Sequence, residues 1–190
     1  MADAPECIVI GVDNSRWVPI DSDIFRDLCD AIEFYCRAKF NENSDTVVGL
    51  YTMSSVNPEH LVYPTGSIEE LVAKFPAMNT GSGQVDLLSM FTFGCMPLTQ
   101  HSLFSQHKNK KKRVVLFVAG LTNLSLLSAE ETAMACRGKG IAIDVIDLYT
   151  GGPTRYPISN YSYGRNELAA LIKMRNDNDG NDNCHIVHVG

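Results

Sequence analysis

Asp13 and Ser15 have the types and spacing that could do chemistry in this 190-residue chain. They flank Asn14 directly after Cys7 to Val12, a run of apolar residues and glycine. Alternate residues of a loop turn their oxygens to one side, and Mg²⁺ demands near-octahedral oxygen ligation. The same two side chains could instead cap the loop by accepting hydrogen bonds from backbone N–H groups. Other chemistries fail on pattern. Gly81-Ser82-Gly83 is not the G-x-S-x-G of a nucleophile turn, and no G-K-[ST] follows a glycine loop. The histidines His185 and His188, three apart on a predicted strand, fall on opposite faces and make a poor metal pair. The acidic stretch Asp177 to Asp182 has its glycine two positions early for a calcium loop and no closing glutamate.

The elements that must position Asp13 follow from periodicity. Cys7 to Val12 reads as a strand buried on both faces, because it is continuously apolar and ends abruptly in polar turn formers. Asp21-Ser22-Asp23 caps a helix carrying Ile24, Leu28, Ala31, Ile32, Tyr35 and Ala38 at helical spacing to about Phe40. Thr46 to Met53 is a second buried strand, and Glu59 to Tyr63 a third, stopped by Pro64. Ser67 to Glu70 is a capping box opening a short helix to Phe75, and Val85 to Phe93 is a further helix. Arg113 to Ala119 is the fourth strand. A capping box at Ser128 to Glu131 starts a helix that Gly138 ends. Ile141 to Tyr149, a helix over Asn166 to Met174, and Cys184 to Val189 complete the set.

Strands alternating with helices predict an α/β doubly wound sheet of six mostly parallel strands with helices on both faces. The third strand, reached without a crossover helix, is predicted to be an antiparallel edge. One domain spans residues 1–190. Asp13 then stands at the carboxyl end of a central strand, where such sheets meet ligands and partners.

Composition narrows the function classes. Sixteen basic against twenty-two acidic residues give a net charge of −6, so there is no global footprint for nucleic acid. No apolar run approaches the roughly 20 residues of a membrane helix, and MADAPE lacks a signal-peptide profile. Six cysteines without a C-x-x-C pair read as reduced thiols, in the cytoplasm or nucleus. The basic run Lys108 to Arg113 suits a nuclear address or an anion patch; the reading preferred is a solvated loop whose charges guard an apolar strand.

The loop Asp13-Asn14-Ser15 resembles the first metal loop, D-x-S-x-S, of von Willebrand factor A (VWA) domains. Thr80, followed by Gly81, matches the second loop. The resemblance implies two more ligands that are missing: the third loop position is Trp17, and Ala119-Gly120-Leu121-Thr122 after the fourth strand has no carboxylate. The site therefore reads as a degenerate metal site, with no metal and no cofactor expected. D-N-S followed by an aromatic, V-G-L-x-T-M, a basic run leading into V-V-L-F-V-A-G, and a closing H-I-V-H-V together resemble one VWA family. It is the VWA domain of the proteasome regulatory particle's ubiquitin-receptor subunit, and the resemblance is patchy between Ser54 and Asn109.

That resemblance implies a non-enzymatic docking domain between the lid and base of the regulatory particle. It also implies that ubiquitin is bound only through segments beyond Gly190. Asp13, Asn14, Ser15, Trp17 and Thr80 are the expected protein-interaction residues. Trp17 is either a contact anchor or a residue packed back over the loop. Asp13→Ala is expected to weaken docking while lowering stability only modestly. A metal-dependent VWA adhesion module and a VWA subunit of a nuclear transcription and repair complex are the alternatives, together with a nucleotide-using doubly wound enzyme.

Overall fold

The computed structural model describes residues 4–16, 18, 21–54, 58–83, 85–100, 107, 109–120, 122–123, 125–148, 161–177 and 183–189. Strand β1 (Glu6–Val12) is buried along its whole length and lies at the centre of a six-stranded sheet. On one side it pairs with β2 (Val47–Thr52), which pairs with β3 (His60–Thr65). On the other side come β5 (Lys111–Val118), β7 (Ile141–Asp147) and β8 (His185–His188), after which the sheet ends. Every pairing is parallel except β2 with β3, so the predicted antiparallel edge strand is present. A two-residue pairing of β4 (Val85–Asp86) with β6 (Thr122–Asn123) lies apart from this sheet.

The period of two along the central strands sorts their side chains into two cores. Ile8, Ile10, Val12, Val115 and Phe117 face α1 (Asp23–Glu42) and α2 (Ile68–Val72), meeting Leu28, Ile32, Cys36 and Leu71. Cys7, Val9, Val114, Leu116 and Val118 face the opposite layer. That layer comprises α3 (Leu87–Thr99), α4 (Leu126–Gly138) and α5 (Tyr161–Asp177). The fold is thus an α/β sheet wound on both faces.

Several boundaries differ from those the sequence predicts. Pro64 does not stop β3, because an edge strand can spare one N–H, and the strand runs on to Thr65. Helix α3 starts at Leu87 and continues past Pro97 to Thr99. The cap of α4 is Ser125, whose hydroxyl accepts from the Ser128 N–H at 3.1 Å, one turn before the predicted box. The left-handed residue after α4 is Gly140 at φ 63°, not Gly138. Arg113 does not sit in a solvated loop: it is a buried β5 residue paired with Glu6 at 2.9 Å and Asp144 at 2.6 Å. No helix among the described residues is long and apolar enough to cross a membrane.

Candidate functional site: the loop cluster at the end of β1

Strand order reverses between β1 and β5, since β2 lies to one side of β1 and β7 lies beyond β5. The crevice at such a point opens at the carboxyl ends of the strands, and the chain delivers Asp13 there. The Asp13 N–H still bonds the Phe117 carbonyl at 3.1 Å, so strand pairing continues until the loop turns away. The Asp13 carboxylate is fully buried. Its Oδ1 accepts from the Ser15 N–H at 3.0 Å, and its Oδ2 accepts from Ala119 N–H at 3.0 Å and Gly120 N–H at 2.8 Å. One carboxylate therefore closes its own loop and bolts it to the loop after β5.

Asn14 performs the corresponding task toward the other two loops. Its Oδ1 accepts from the Ser54 N–H at 2.9 Å, just past β2, and its Nδ2 donates to the Asn79 carbonyl at 2.9 Å. Its own carbonyl accepts from the Gly81 N–H at 2.6 Å. Gly81 is obligatory at that point, because a Cβ there would overlap the Ser54 side chain. A further bond runs from Arg16 N–H to the Gly83 carbonyl at 3.3 Å. Four loops, following β1, β2, the Phe75–Ala77 turn of 3₁₀ helix and β5, thus meet on the side chains of two adjacent residues.

Asp13, Asn14 and Ser15 are buried, and Thr80 is exposed on the loop that Asn14 holds. Trp17 lies outside the described residues. The sequence reading named Asn14 but missed its role. It also missed Ser54, Asn79 and Gly81, of which only the glycine carried a signal, as the residue after Thr80. The expected capping of the loop by Asp13 is present at the Ser15 N–H, and the donors from outside the loop belong to Ala119 and Gly120.

A VWA metal would have to bind here, and the residues present do not fit one. Both oxygens of Asp13 already accept backbone N–H groups, three in all, so most of its lone pairs are spent on the loops. The loop after β5 offers Ala119 and Gly120 where a second carboxylate is needed. The Ser15 hydroxyl, buried without a hydrogen-bond partner, is a single neutral donor and cannot replace that charge. Among the described residues no three His, Cys, Asp or Glu side chains are grouped to hold an ion.

Comparison with known proteins agrees with this architecture. No protein-family model matches the chain. Proteins named 26S proteasome non-ATPase regulatory subunit 4 do match. The homologue from Arabidopsis thaliana is 23% identical over 187 residues, covering 97% of this chain and 44% of its own length. The protein from Dictyostelium discoideum is 21% identical, with 97% and 48% covered. The chain therefore spans less than half the length of the curated relatives it matches. Among solved structures, the SpRpn10 VWA domain superposes with a TM-score of 0.73 at 19% identity, covering 97% of this chain and 88% of that one. Proximal thread matrix protein 1 from the mussel byssus reaches 0.66 at 14% identity, covering 98% of this chain and 44% of its own. The chain thus has the fold of the SpRpn10 VWA domain, and over 97% of its length it is similar to the proteins named 26S proteasome non-ATPase regulatory subunit 4.

Proposed function

We propose that this VWA domain is a non-enzymatic docking module of the proteasome regulatory particle, seated where lid and base meet, in cytoplasm and nucleus. The observation that carries the reading is the Asp13 carboxylate, which holds three backbone N–H groups from two loops. A VWA domain that captures partners through a metal turns its carboxylates to the ion instead. Here the Asp13 carboxylate is consumed in holding loops together, so the switch-point edge is a preformed protein surface. Its rim carries exposed Arg16, Asn79, Thr80 and Ser82. A rigid, polar rim suits a permanent place in an assembly, because little ordering entropy is lost on docking. Ubiquitin, in this reading, is bound only by segments beyond Gly190. Neither nucleic acid nor membrane is a partner.

Incorporation of tagged variants into proteasomes tests the proposal. Thr80→Arg, on the exposed rim, should lose co-purification with lid and base subunits while its melting curve stays near wild type. Lys111→Ala, exposed at the far end of β5, should change neither. Full assembly of folded Thr80→Arg would place the interface elsewhere.

A further inference from the structure

On the face of the sheet that carries α3, α4 and α5, a trough of about 180 Å³ opens between α3 and α4. Each of these two helices follows one strand of the parallel β4–β6 pair, so they run in the same direction. Leu88, Phe91 and Cys95 of α3 line one side, and Thr132, Ala135 and Cys136 of α4 line the other. Their three- and four-residue spacings keep each row on one helix face, so the trough follows both axes. Leu127, one turn before the lining residue Glu131, is 66% exposed, and Met96, one turn after Thr92, is 41% exposed. Both extend the apolar surface beyond the cavity. We propose that the trough docks an amphipathic helix of a partner protein, lying antiparallel to α3 and α4. That helix carries an acidic residue in its first turn and a Lys or Arg about two turns later.

Two observations select this occupant. The walls are poor in hydrogen-bonding groups to spare. Thr132 Oγ1 donates to the Ser128 carbonyl at 2.7 Å, and Thr92 Oγ1 donates to the Leu88 carbonyl at 3.0 Å. Both hydroxyl protons are thus spent within their own helices, as the wall backbones are. An extended peptide would bury its N–H and C=O groups here without partners, whereas a helix brings its own hydrogen bonds.

Charge is the second observation. Glu131 and Lys139 both line the trough, eight residues apart on α4, about 12 Å at 1.5 Å of rise per residue. Both are exposed, and among the described residues neither is engaged in an ion pair. An incoming helix can meet the carboxylate with a base and the ammonium with an acid two turns away. Glu131 lies in the first half of α4 and Lys139 just past its end, which fixes the direction. An antiparallel helix sets its first turn beside Lys139 and its last beside Glu131. Acid at the start and base at the end are what its own macrodipole favours, and that dipole then opposes those of α3 and α4. A parallel helix would need both charges at the wrong ends. The trough is built from helix faces rather than from the loops around Asp13, so this inference does not depend on the docking edge proposed above.

The test selects displayed peptides against the immobilised, unmutated chain. One library consists of helix-forming peptides of about 14 residues with randomised positions, and a matched library carries central prolines that forbid a helix. The helical library should yield apolar residues at i, i+3 or i+4, and i+7, with acid near the N-terminus and base near the C-terminus. Ala135→Arg, exposed on one wall, should weaken the selected peptide about tenfold or more while the melting curve stays near wild type. Thr92→Arg, exposed on the facing wall, repeats that measurement from a separate helix. Glu131→Lys combined with Lys139→Glu should prefer the peptide with its two charges exchanged, by about threefold. Peptides that bind both arginine variants as tightly as wild type, selection from the proline library instead, or no enrichment at all overturns the proposal. So does self-association of the chain that Ala135→Arg abolishes, which would assign the trough to a second copy.

Discussion

Asp13 shows how one side chain can change its job without changing its place. A carboxylate at the carboxyl end of a buried strand suits a cation, and three N–H donors suit that carboxylate equally well. Its burial raises the stakes of mutation above what the sequence suggested. Asp13→Ala strands the buried N–H groups of Ser15 and Ala119, while the half-buried Gly120 N–H can turn to water, and unsatisfied buried donors cost roughly 1–3 kcal/mol each. We expect Asp13→Ala to lose about 2–6 kcal/mol in urea unfolding, rather than the modest loss expected from sequence. Asp13→Asn should recover only part of this, because its NH₂ must face N–H donors. Gly81→Ala belongs to the same scale. Its new Cβ would overlap Ser54, and overpacking of this kind costs roughly 1–3 kcal/mol. The expected loss appears in the melting temperature, and Gly81→Ala combined with Ser54→Gly should regain much of it.

At the scale of elements, the edge strand β3 is held to the sheet and to α3 by an aromatic stack. The His60 ring lies on Phe93 of α3 with centroids 4.1 Å apart and planes 17° from parallel. Tyr63 stacks on it at 5.5 Å, and neither ring nitrogen of His60 has a hydrogen-bond partner. Burial lowers the pKa of His60, because a charged ring would be poorly solvated there. The unfolded chain therefore binds a proton before the folded one does. Stability from this residue is complete above the ordinary value of 6.5 and falls as pH drops through the lowered folded value. Urea midpoints measured from pH 7.5 down to about 5 should fall for wild type. His60→Phe should fall less, keeping only the slope from other groups such as His107, whose pKa is also lowered by burial.

The whole molecule is tied together at the opposite end of the sheet by Arg113. Its guanidinium reaches Glu6 on β1 and Asp144 on β7, and donates to the carbonyl and side chain of Asn183 ahead of β8. Lys39 of α1 joins the same carboxylate of Glu6 at 3.0 Å. Burial pushes the Glu6 pKa up, but Arg113 and Lys39 outweigh it and the net shift is downward. Stability from Glu6 is thus present above the ordinary 4.5 and lost as pH falls through the lowered folded value. Removing one partner of a buried pair costs roughly 3–5 kcal/mol, so Arg113→Met should be strongly destabilised at neutral pH. Replacing Glu6 by Gln and Asp144 by Asn in the same chain should restore a large part of that loss. A double-mutant cycle by denaturant unfolding measures the coupling.

The apolar strands, their alternation with helices and the antiparallel edge were all present in the sequence, because burial on both faces leaves a continuous hydrophobic run that little else produces. Asp13 at the end of β1 followed from that pattern too. The missing metal ligands, at Trp17 and in Ala119-Gly120-Leu121-Thr122, could be named from sequence because an indole has no oxygen and that segment has no carboxylate. The partners of Asp13 and Asn14 could not be named, since backbone N–H and carbonyl groups are identical at every residue. Only the folded chain decides which of them arrive within 3 Å of a given side chain. Arg113 misled for the same reason. In sequence it closes a basic run, and its burial depends on Glu6, 107 residues away, and on Asp144, 31 away, coming to meet it. Local pattern carries the elements. Long-range pairing of charges and backbone groups exists only once the sheet has brought its strands together.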